Sequence, residues 1–270
     1  MSRIESMLAH LGSLDDLARR DTPAVRLDPR VKLLGTLAYV AVVASFDRSD
    51  LGRLAPLAIY PLAMAALGDV PWRPLLIRLA LASPFVLGVA AFEPFLDRTP
   101  ALVLGSIAIS RGLLACATIV AKFVLSLSAA LLLVATTGFD QVCVALRRLA
   151  VPRALVAQLM LTYRYLFLLA DEAGRMVRAH ALRAPDGRRP SLKIAVSLLG
   201  QLLLRALGRA ERVHVAMRCR GFDGHLPMSR KWRLLPADVA FGGTMLLLTV
   251  GARVVDLPAL LTAAFTGAPP

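Results

Sequence analysis

The segment GLLACATIVAKFVLSLSAALLLVATT (112–137) decides the fold class. It contains one charged residue, Lys122. About 20 residues of helix cross the hydrocarbon core of a bilayer, where a charge is expensive. The segment therefore predicts a membrane-spanning helix. We expect Lys122 to reach along this helix or to face the bundle interior, and an ion path is the less favoured alternative.

Four further apolar segments also predict spans: 31–46, 54–68, 79–92 and 235–252, with charged residues only near the start of the first (Lys32) and of the last (Asp238). The first three are short, so the charged residues at their edges are expected at headgroup depth. Prolines within the spans predict kinks, which neighbouring helices tolerate. The predicted fold class is an all-α integral membrane protein with about five transmembrane helices.

The composition agrees with this fold class. Of the 270 residues, 57% are hydrophobic and 6% are aromatic, and the mean hydropathy is +0.65. These values exclude a water-soluble globule and a disordered chain, and three cysteines exclude a disulfide scaffold. Residues 1–30 are mixed and charged without the apolar core of a secretory peptide, so we expect the protein to enter the membrane through its own spans.

Positive charge is concentrated between the fourth and fifth predicted spans. Residues 147–233 contain 18 Lys and Arg and 5 Asp and Glu, a net +13 of the total +14. Basic residues collect on the cytoplasmic side of membrane proteins. We therefore expect a cytoplasmic N-terminal segment (1–30), a four-span region (31–137), a cytoplasmic domain (138–233) and a last span with a short tail (234–270).

The predicted cytoplasmic domain should contain three helices. Asp140 is a candidate N-cap for a short helix over 141–149, and Pro152 starts a long helix that reaches about Arg183. After Pro190, Ser191 is a candidate cap for a basic amphipathic helix that runs to about Arg220. Such a helix is also typical of a surface that lies on anionic lipid, or of simple packing against a neighbouring helix.

The ends of the two long helices repeat each other. At an offset of 37 residues, five identical residues coincide, and both helices finish in R-[A/G]-x-D-G, with the arginine at 183 and 220. An arginine at a helix C-terminus can simply complement the helix dipole. Two of them at equivalent places favour two equivalent contacts with an acidic cleft on a partner, because guanidinium forms bidentate contacts with carboxylate.

Several chemistries are missing from the sequence. There is no Gly-Lys dipeptide and so no Walker A loop, and there is no HExxH or CxxC metal motif. The basic residues alternate with apolar rather than aromatic ones, which argues against nucleic acid binding. An alternative function is an integral-membrane enzyme that acts on a lipid phosphate through the basic segment, although no convincing acidic metal ligands or nucleophile accompany it.

Three stretches carry a family resemblance: TTGFDQVCVALRRLAVPR (136–153), LTYRYLFLLADEAGRM (161–176) and ERVHVAMRCRGFDG (211–224). They resemble the transmembrane T component of energy-coupling-factor (ECF) transporters, in the CbiQ form of cobalt and nickel systems. The resemblance covers the whole chain and is strongest over 136–224. It implies a non-enzymatic scaffold in the inner (plasma) membrane of a prokaryote, within an ATP-driven importer of cobalt or nickel ions.

The resemblance also implies the partners and their docking residues. Two ABC-type ATPase subunits would bind ATP and receive the ends of the coupling helices, while a separate CbiM-like substrate-capture protein (S component) would bind the metal. No cofactor or metal is expected on this chain. The family motif is Ala-Arg-Gly, and the docking residues that it implies here are Leu182, Arg183, Ala184, Arg218, Cys219, Arg220 and Gly221. Ala184 stands where the family has glycine, which makes the first motif the less regular one.

Overall fold

A computed structural model describes residues 22–47, 50–96, 100–104, 107–183, 191–224 and 235–254. The chain divides into two compact units. We call the described residues 22–138 and 235–254 the bundle unit, and the described residues 139–224 the arm unit. The predicted domain boundaries stay a prediction, since they concern membrane sides as well as chain segments.

Helices make up most of both units. The bundle unit begins with α1 (Pro23–Arg26), α2 (Pro29–Ala44), α3 (Leu51–Leu54), a 3-10 helix (Ala55–Ala58), α4 (Ile59–Leu67), α5 (Trp72–Ala90), α6 (Glu93–Leu96), β1 (Pro100–Leu104), β2 (Ile107–Ser110) and α7 (Arg111–Thr137). The arm unit contains α8 (Phe139–Arg148), α9 (Arg153–Arg183) and α10 (Leu192–Cys219), and α11 (Pro236–Val254) completes the bundle unit.

Each of the five predicted spans is helical in the structure, which confirms an all-α membrane protein. By length and apolar composition, three helices in the described part of the chain could cross a bilayer: α5, α7 and α9. The first two correspond to predicted spans. The third, α9, lies in the segment 138–233, which the sequence predicts to be cytoplasmic. Its apolar first half accounts for its membrane-like composition.

A short antiparallel hairpin was not predicted. Strands β1 and β2 pair with Val103 opposite Ala108 and Leu104 opposite Ile107. The stretch 100–110 carries no charge, but it is too short for a transmembrane helix. Its β-branched residues favour extended backbone, and charge counting does not detect this local preference.

Small residues let the helices of the bundle unit approach one another closely. The buried face of α7 includes Gly112, Ala115, Ser128 and Ala129. A Cβ on Gly242 of α11 would lie 2.6 Å from Val31 Cγ1 of α2, so a side chain there would require Val31 or one of the two helices to shift. In a bilayer, where lipid tails are as apolar as Leu, close van der Waals packing of this kind holds helices together.

Two lysines join α2 and α7 in antiparallel orientation. Lys32, in the first turns of α2, donates to the carbonyl of Thr136 at the end of α7, over 2.9 Å. Lys122 of α7 donates to the carbonyls of Phe46 and Ala44, where α2 ends. Lys122 therefore faces another helix of the bundle unit and caps the end of α2. This agrees with the expectation that it faces the bundle interior rather than an ion path.

Helix α11 runs parallel to α2. At their starts, Asp238 Oδ1 accepts a hydrogen bond of 3.0 Å from the backbone N–H of Asp28. At their ends, the guanidinium of Arg253 lies over the ring of Phe46, 5.1 Å from its centroid. The start of α2, the end of α7 and the start of α11 therefore share one end of the bundle unit, where the chain leaves for the arm unit and returns from it.

Candidate functional site

The arm unit begins with a short helix that packs on α9 through aromatic rings. Phe139 of α8 stacks on Tyr163 with ring centroids 4.1 Å apart, and Tyr163 meets Phe167 edge to face at 5.1 Å. The helix starts at Phe139, so Asp140 lies in its first turn and the prediction that Asp140 is the N-cap was wrong. Its carboxylate still complements the positive end of the helix dipole there.

Cys143 forms part of the buried side of α8. Only 1% of its surface is exposed. Burial, with a smaller contribution from the negative charge of Asp140, raises the pKa of the Cys143 thiol to about 11. This cysteine is therefore a packing residue, because the thiolate is the reactive form of cysteine and burial suppresses it.

An ion pair joins the two long helices. Glu172 of α9 accepts a hydrogen bond of 2.5 Å from Arg205 of α10 through one carboxylate oxygen. The other oxygen accepts from Arg175 of its own helix, also over 2.5 Å. One carboxylate thus connects α9 to α10 near the middle of both helices.

A groove lies between the same two helices. Its volume is about 450 Å³, and its lining is mainly apolar, with Leu161, Leu166 and Leu169 from α9 facing Val213 and Met217 of α10. A few polar side chains line it as well: Gln158, Thr162, Tyr165, Arg209 and His214. A predominantly apolar concavity with a few polar groups is typical of a binding surface.

Helix α10 has no buried residue within the described part of the chain. Its amphipathic pattern nevertheless includes several large apolar side chains that are more than half exposed: Leu192, Val196, Leu199, Leu203, Leu204, Leu207 and Val215. Soluble proteins rarely expose so continuous an apolar surface, and such a surface marks contact with another protein or with a membrane. The exposed apolar side of α10 is therefore a candidate contact surface.

The structure places the second predicted docking motif in a defined helix end. Cys219 is the last helical residue, Arg220 is the C-cap, and Gly221 follows with a φ of +77°. The N–H of Gly221 donates to Arg218 O, and the N–H of Phe222 donates to Met217 O, both over 3.0 Å. This is a Schellman motif, in which a left-handed glycine closes the last turn. The backbone of Arg220 is thereby fixed.

The first predicted docking motif lies at the end of α9. Arg183 is the last residue of this helix, and Leu182 before it is 88% exposed. Ala184 lies outside the described residues, so its effect on the helix end stays a prediction. The two motifs end two different helices, as the sequence predicted, and the structure does not bring them together into one site.

The arginines of the two predicted docking motifs lie at the surface of the arm unit. Arg183, Arg218 and Arg220 are exposed, and none of their guanidinium groups makes a hydrogen bond or ion pair with another described residue. Guanidinium donors without an intramolecular acceptor remain available to a partner. Among the described residues, no group of three or more His, Cys, Asp or Glu side chains could hold a metal ion.

Sequence reasoning missed the features that support these residues. The spacing of Met217, Gly221 and Phe222 signals a Schellman motif, in which apolar residues before and after the glycine meet. Met217 and Phe222 both line the groove between α9 and α10. The pairing of Glu172 with Arg205 had no comparable signal, because it depends on where two helices cross.

The arm unit therefore presents exposed arginines at two helix ends and an apolar surface between them. A profile of the CbiQ family, described as cobalt transport protein, matches residues 20–231. The chain belongs to this family.

Individual relatives agree with this assignment. The cobalt transport protein CbiQ of Rhodobacter capsulatus is 36% identical over 95 residues, 35% of this chain and 39% of that protein. CbiQ of Salmonella typhimurium is 40% identical over 85 residues, 30% of this chain and 38% of that protein. The matches thus span about two fifths of each CbiQ protein. The energy-coupling factor transporter transmembrane protein EcfT of Limosilactobacillus fermentum is 29% identical over 226 residues, 75% of this chain and 81% of that protein.

Proposed function

We propose that this protein is the transmembrane coupling subunit of an ATP-driven ECF-type importer. It passes movements of two ATPase subunits, through α9 and α10, to a separate membrane protein that captures the substrate. The observation that carries the proposal is the pair of helix ends with exposed arginines in a member of the CbiQ family. The protein itself acts as a scaffold, without enzymatic activity of its own.

Arg183 and Arg220 dock into the ATPases in this proposal. An arginine fork pairs bidentately with carboxylates, and a fixed backbone lowers the entropy lost on docking. The Schellman turn supplies such a backbone for Arg220. The neighbouring residues in the sequence, Leu182, Ala184, Arg218, Cys219 and Gly221, are further contact residues in this proposal. The repeat of the motif on two helices supports two similar ATPase subunits, each of which binds its own ATP.

The exposed apolar side of α10 contacts the substrate-capture protein in this proposal. An exposed apolar helix surface in a membrane protein suits a partner that is itself embedded in the bilayer. ATP can drive movement only if the docked helices fit the open and closed ATPase pair with different free energies. The long helices α9 and α10, joined through Glu172 and Arg205, carry this difference to the apolar surface.

The substrate that we propose is the cobalt ion, or nickel, and it is supported by the description of the family. Metal capture belongs to the partner protein, so this chain needs no metal ligands or other cofactor. We also propose that the arm unit and the N-terminal segment face the cytoplasm at the inner membrane of a prokaryote. This orientation is supported by the net +13 of residues 147–233.

An affinity pull-down from native membranes tests the proposal. The tagged wild type should bring down an ABC-type ATPase, and the double variant Arg183→Glu/Arg220→Glu should lose it, because like charges would face each other in the docking cleft. Arg164→Glu is the matched control, since Arg164 is exposed in the middle of α9 rather than at a helix end. An ATPase retained by the double variant would refute the docking role, and no ATPase in any sample would favour the lipid-phosphate enzyme.

A further inference from the structure

Lys32 is a buried cation in the bundle unit, with 1% of its surface exposed. Its ammonium group donates to Ala24 O over 3.0 Å and to Thr136 O over 2.9 Å. Burying a charge is unfavourable unless hydrogen bonds compensate it, so these contacts determine where Lys32 can lie. Both acceptors are backbone carbonyls of helices, and Thr136 belongs to the last turn of α7.

The last four carbonyl groups of a helix accept no hydrogen bond from an N–H of the same helix, so they need a donor from outside it. At the end of α7, the N–H of Gly138 donates to Val134 O, and the ammonium group of Lys32 donates to Thr136 O. The chain leaves the bundle unit directly after this turn, at Gly138. Lys32 therefore connects the end of α7, where the chain leaves the bundle unit, to the first turns of α2.

Asp238 connects the start of α11, where the chain returns to the bundle unit, to the start of α2. This carboxylate is 2% exposed, and it accepts from the N–H of Asp28 over 3.0 Å and from the N–H of Leu235 over 2.8 Å. Asp28 is the N-cap of α2, and Leu235 immediately precedes α11. The two places where the chain passes between the bundle unit and the arm unit are thus both hydrogen-bonded to residues 28–32.

We infer that Lys32 and Asp238 are positioning residues for coupling, and this inference rests on the proposed function. They hold the end of α7, where the chain leaves the bundle unit, and the start of α11, where it returns, against residues 28–32 at the start of α2. A movement of the arm unit would therefore displace α2, α7 and α11 together. Without Lys32, Thr136 O loses its charged donor and the end of α7 frays. Fraying absorbs the movement that would otherwise reach the spans.

Lys122 offers a matched control, because it makes the same kind of contact at the opposite end of the same helix pair. It is a lysine of α7 that donates to Ala44 O in the last turn of α2 and to Phe46 O just beyond it, at the other end of the two helices from the arm connections. Lys32→Met and Lys122→Met each remove one ammonium group and keep an apolar stem. A purely structural role predicts that uptake and ATP hydrolysis fall together in either variant, while a positioning role predicts that Lys32→Met alone separates uptake from ATP hydrolysis.

The first measurement is amide hydrogen exchange of the purified full chain in detergent. Losing a charged donor should speed exchange in the affected turn by about tenfold. Lys32→Met should act on the peptide containing Gly138, and Lys122→Met on the peptide containing Ser45, whose N–H donates to Ala41 O. Unchanged exchange at Gly138 in Lys32→Met would overturn the inference whatever the protein does in transport.

The second measurement uses the complete transporter in proteoliposomes and gives cobalt uptake per ATP hydrolysed. Lys32→Met should lower this ratio by about tenfold while ATP hydrolysis continues, and Lys122→Met should keep the wild-type ratio. An equal fall in both variants would overturn the positioning role and leave the proposed function standing. No ATP-dependent uptake by the wild-type complex would refute the proposed function, and the coupling role of Lys32 with it.

Discussion

Gly221 is the position where backbone geometry limits substitution most directly. Its φ of +77° lies in the left-handed region, although a Cβ there would meet no atom within 4 Å. Gly221→Ala should cost about 1 kcal/mol at this turn, because the left-handed conformation strains any residue with a Cβ. The amide of Phe222, which donates to Met217 O, should then exchange about fivefold faster.

Gly200 provides the control for this prediction within the same helix. It lies inside α10, and a Cβ there would also meet nothing within 4 Å. Gly200→Ala should stabilise α10 by about 0.5–1 kcal/mol, because alanine loses less conformational entropy in a helix. Slower exchange in both variants would show that the turn at Gly221 is not left-handed.

The cysteines of the arm unit should differ in reactivity. With a pKa of about 11, Cys143 is thiolate in about one molecule in a thousand at pH 8. Cys219 is exposed at the end of α10. Iodoacetamide at pH 8, followed by mass spectrometry, should modify Cys219 first, and labelling of Cys143 should rise as the pH approaches 11. Equal labelling at pH 8 would contradict the buried position of Cys143.

At the scale of single residues, the sequence predicts docking arginines but not the structure that supports them. Arg220 is found from the repeat alone, because an arginine and a turn signal recur at a fixed offset. The role of Lys32 escapes sequence reasoning, since its acceptor on Thr136 lies 104 residues away along the chain. Hydrogen bonds between distant segments depend on helix packing, which no local pattern contains.

Among the helices, the contact between α9 and α10 depends on Glu172. Glu172→Gln should loosen the pair, because the neutral amide loses the attraction to Arg205 that joins the two helices. Spin labels on the two helices should then give a broader distance distribution than in the wild type. Arg175→Gln is the control, since it removes only the partner within α9, and an unchanged distribution in Glu172→Gln would refute the role of the ion pair.

The existence of helices could be predicted more readily than their details. Apolar segments with few charges predicted α2, α5, α7 and α11, because charge is unfavourable across the known thickness of a bilayer. The hairpin of β1 and β2 was missed, since its short apolar segments resemble poor spans. The start of α8 was misplaced because Asp140 suits both an N-cap and a first turn, and only the backbone distinguishes the two.

On the scale of the whole molecule, the charge distribution predicts which membrane side the arm faces. An impermeant maleimide should label Cys219 in inverted vesicles and not in intact cells. A cysteine placed by Asp47→Cys, just beyond the end of α2, should show the opposite pattern, because the two ends of α2 lie at opposite ends of the bundle unit. Labelling of Cys219 from outside would reverse the proposed orientation.

The central claim is that this chain couples ATP hydrolysis on its partners to import. The most direct measurement is metal uptake and ATP hydrolysis by the reconstituted complex, with the wild type compared with Arg220→Glu and Arg183→Glu/Arg220→Glu. We expect the variants to insert into the membrane normally, and ATP hydrolysis should no longer drive uptake. Unchanged uptake in the double variant would contradict it.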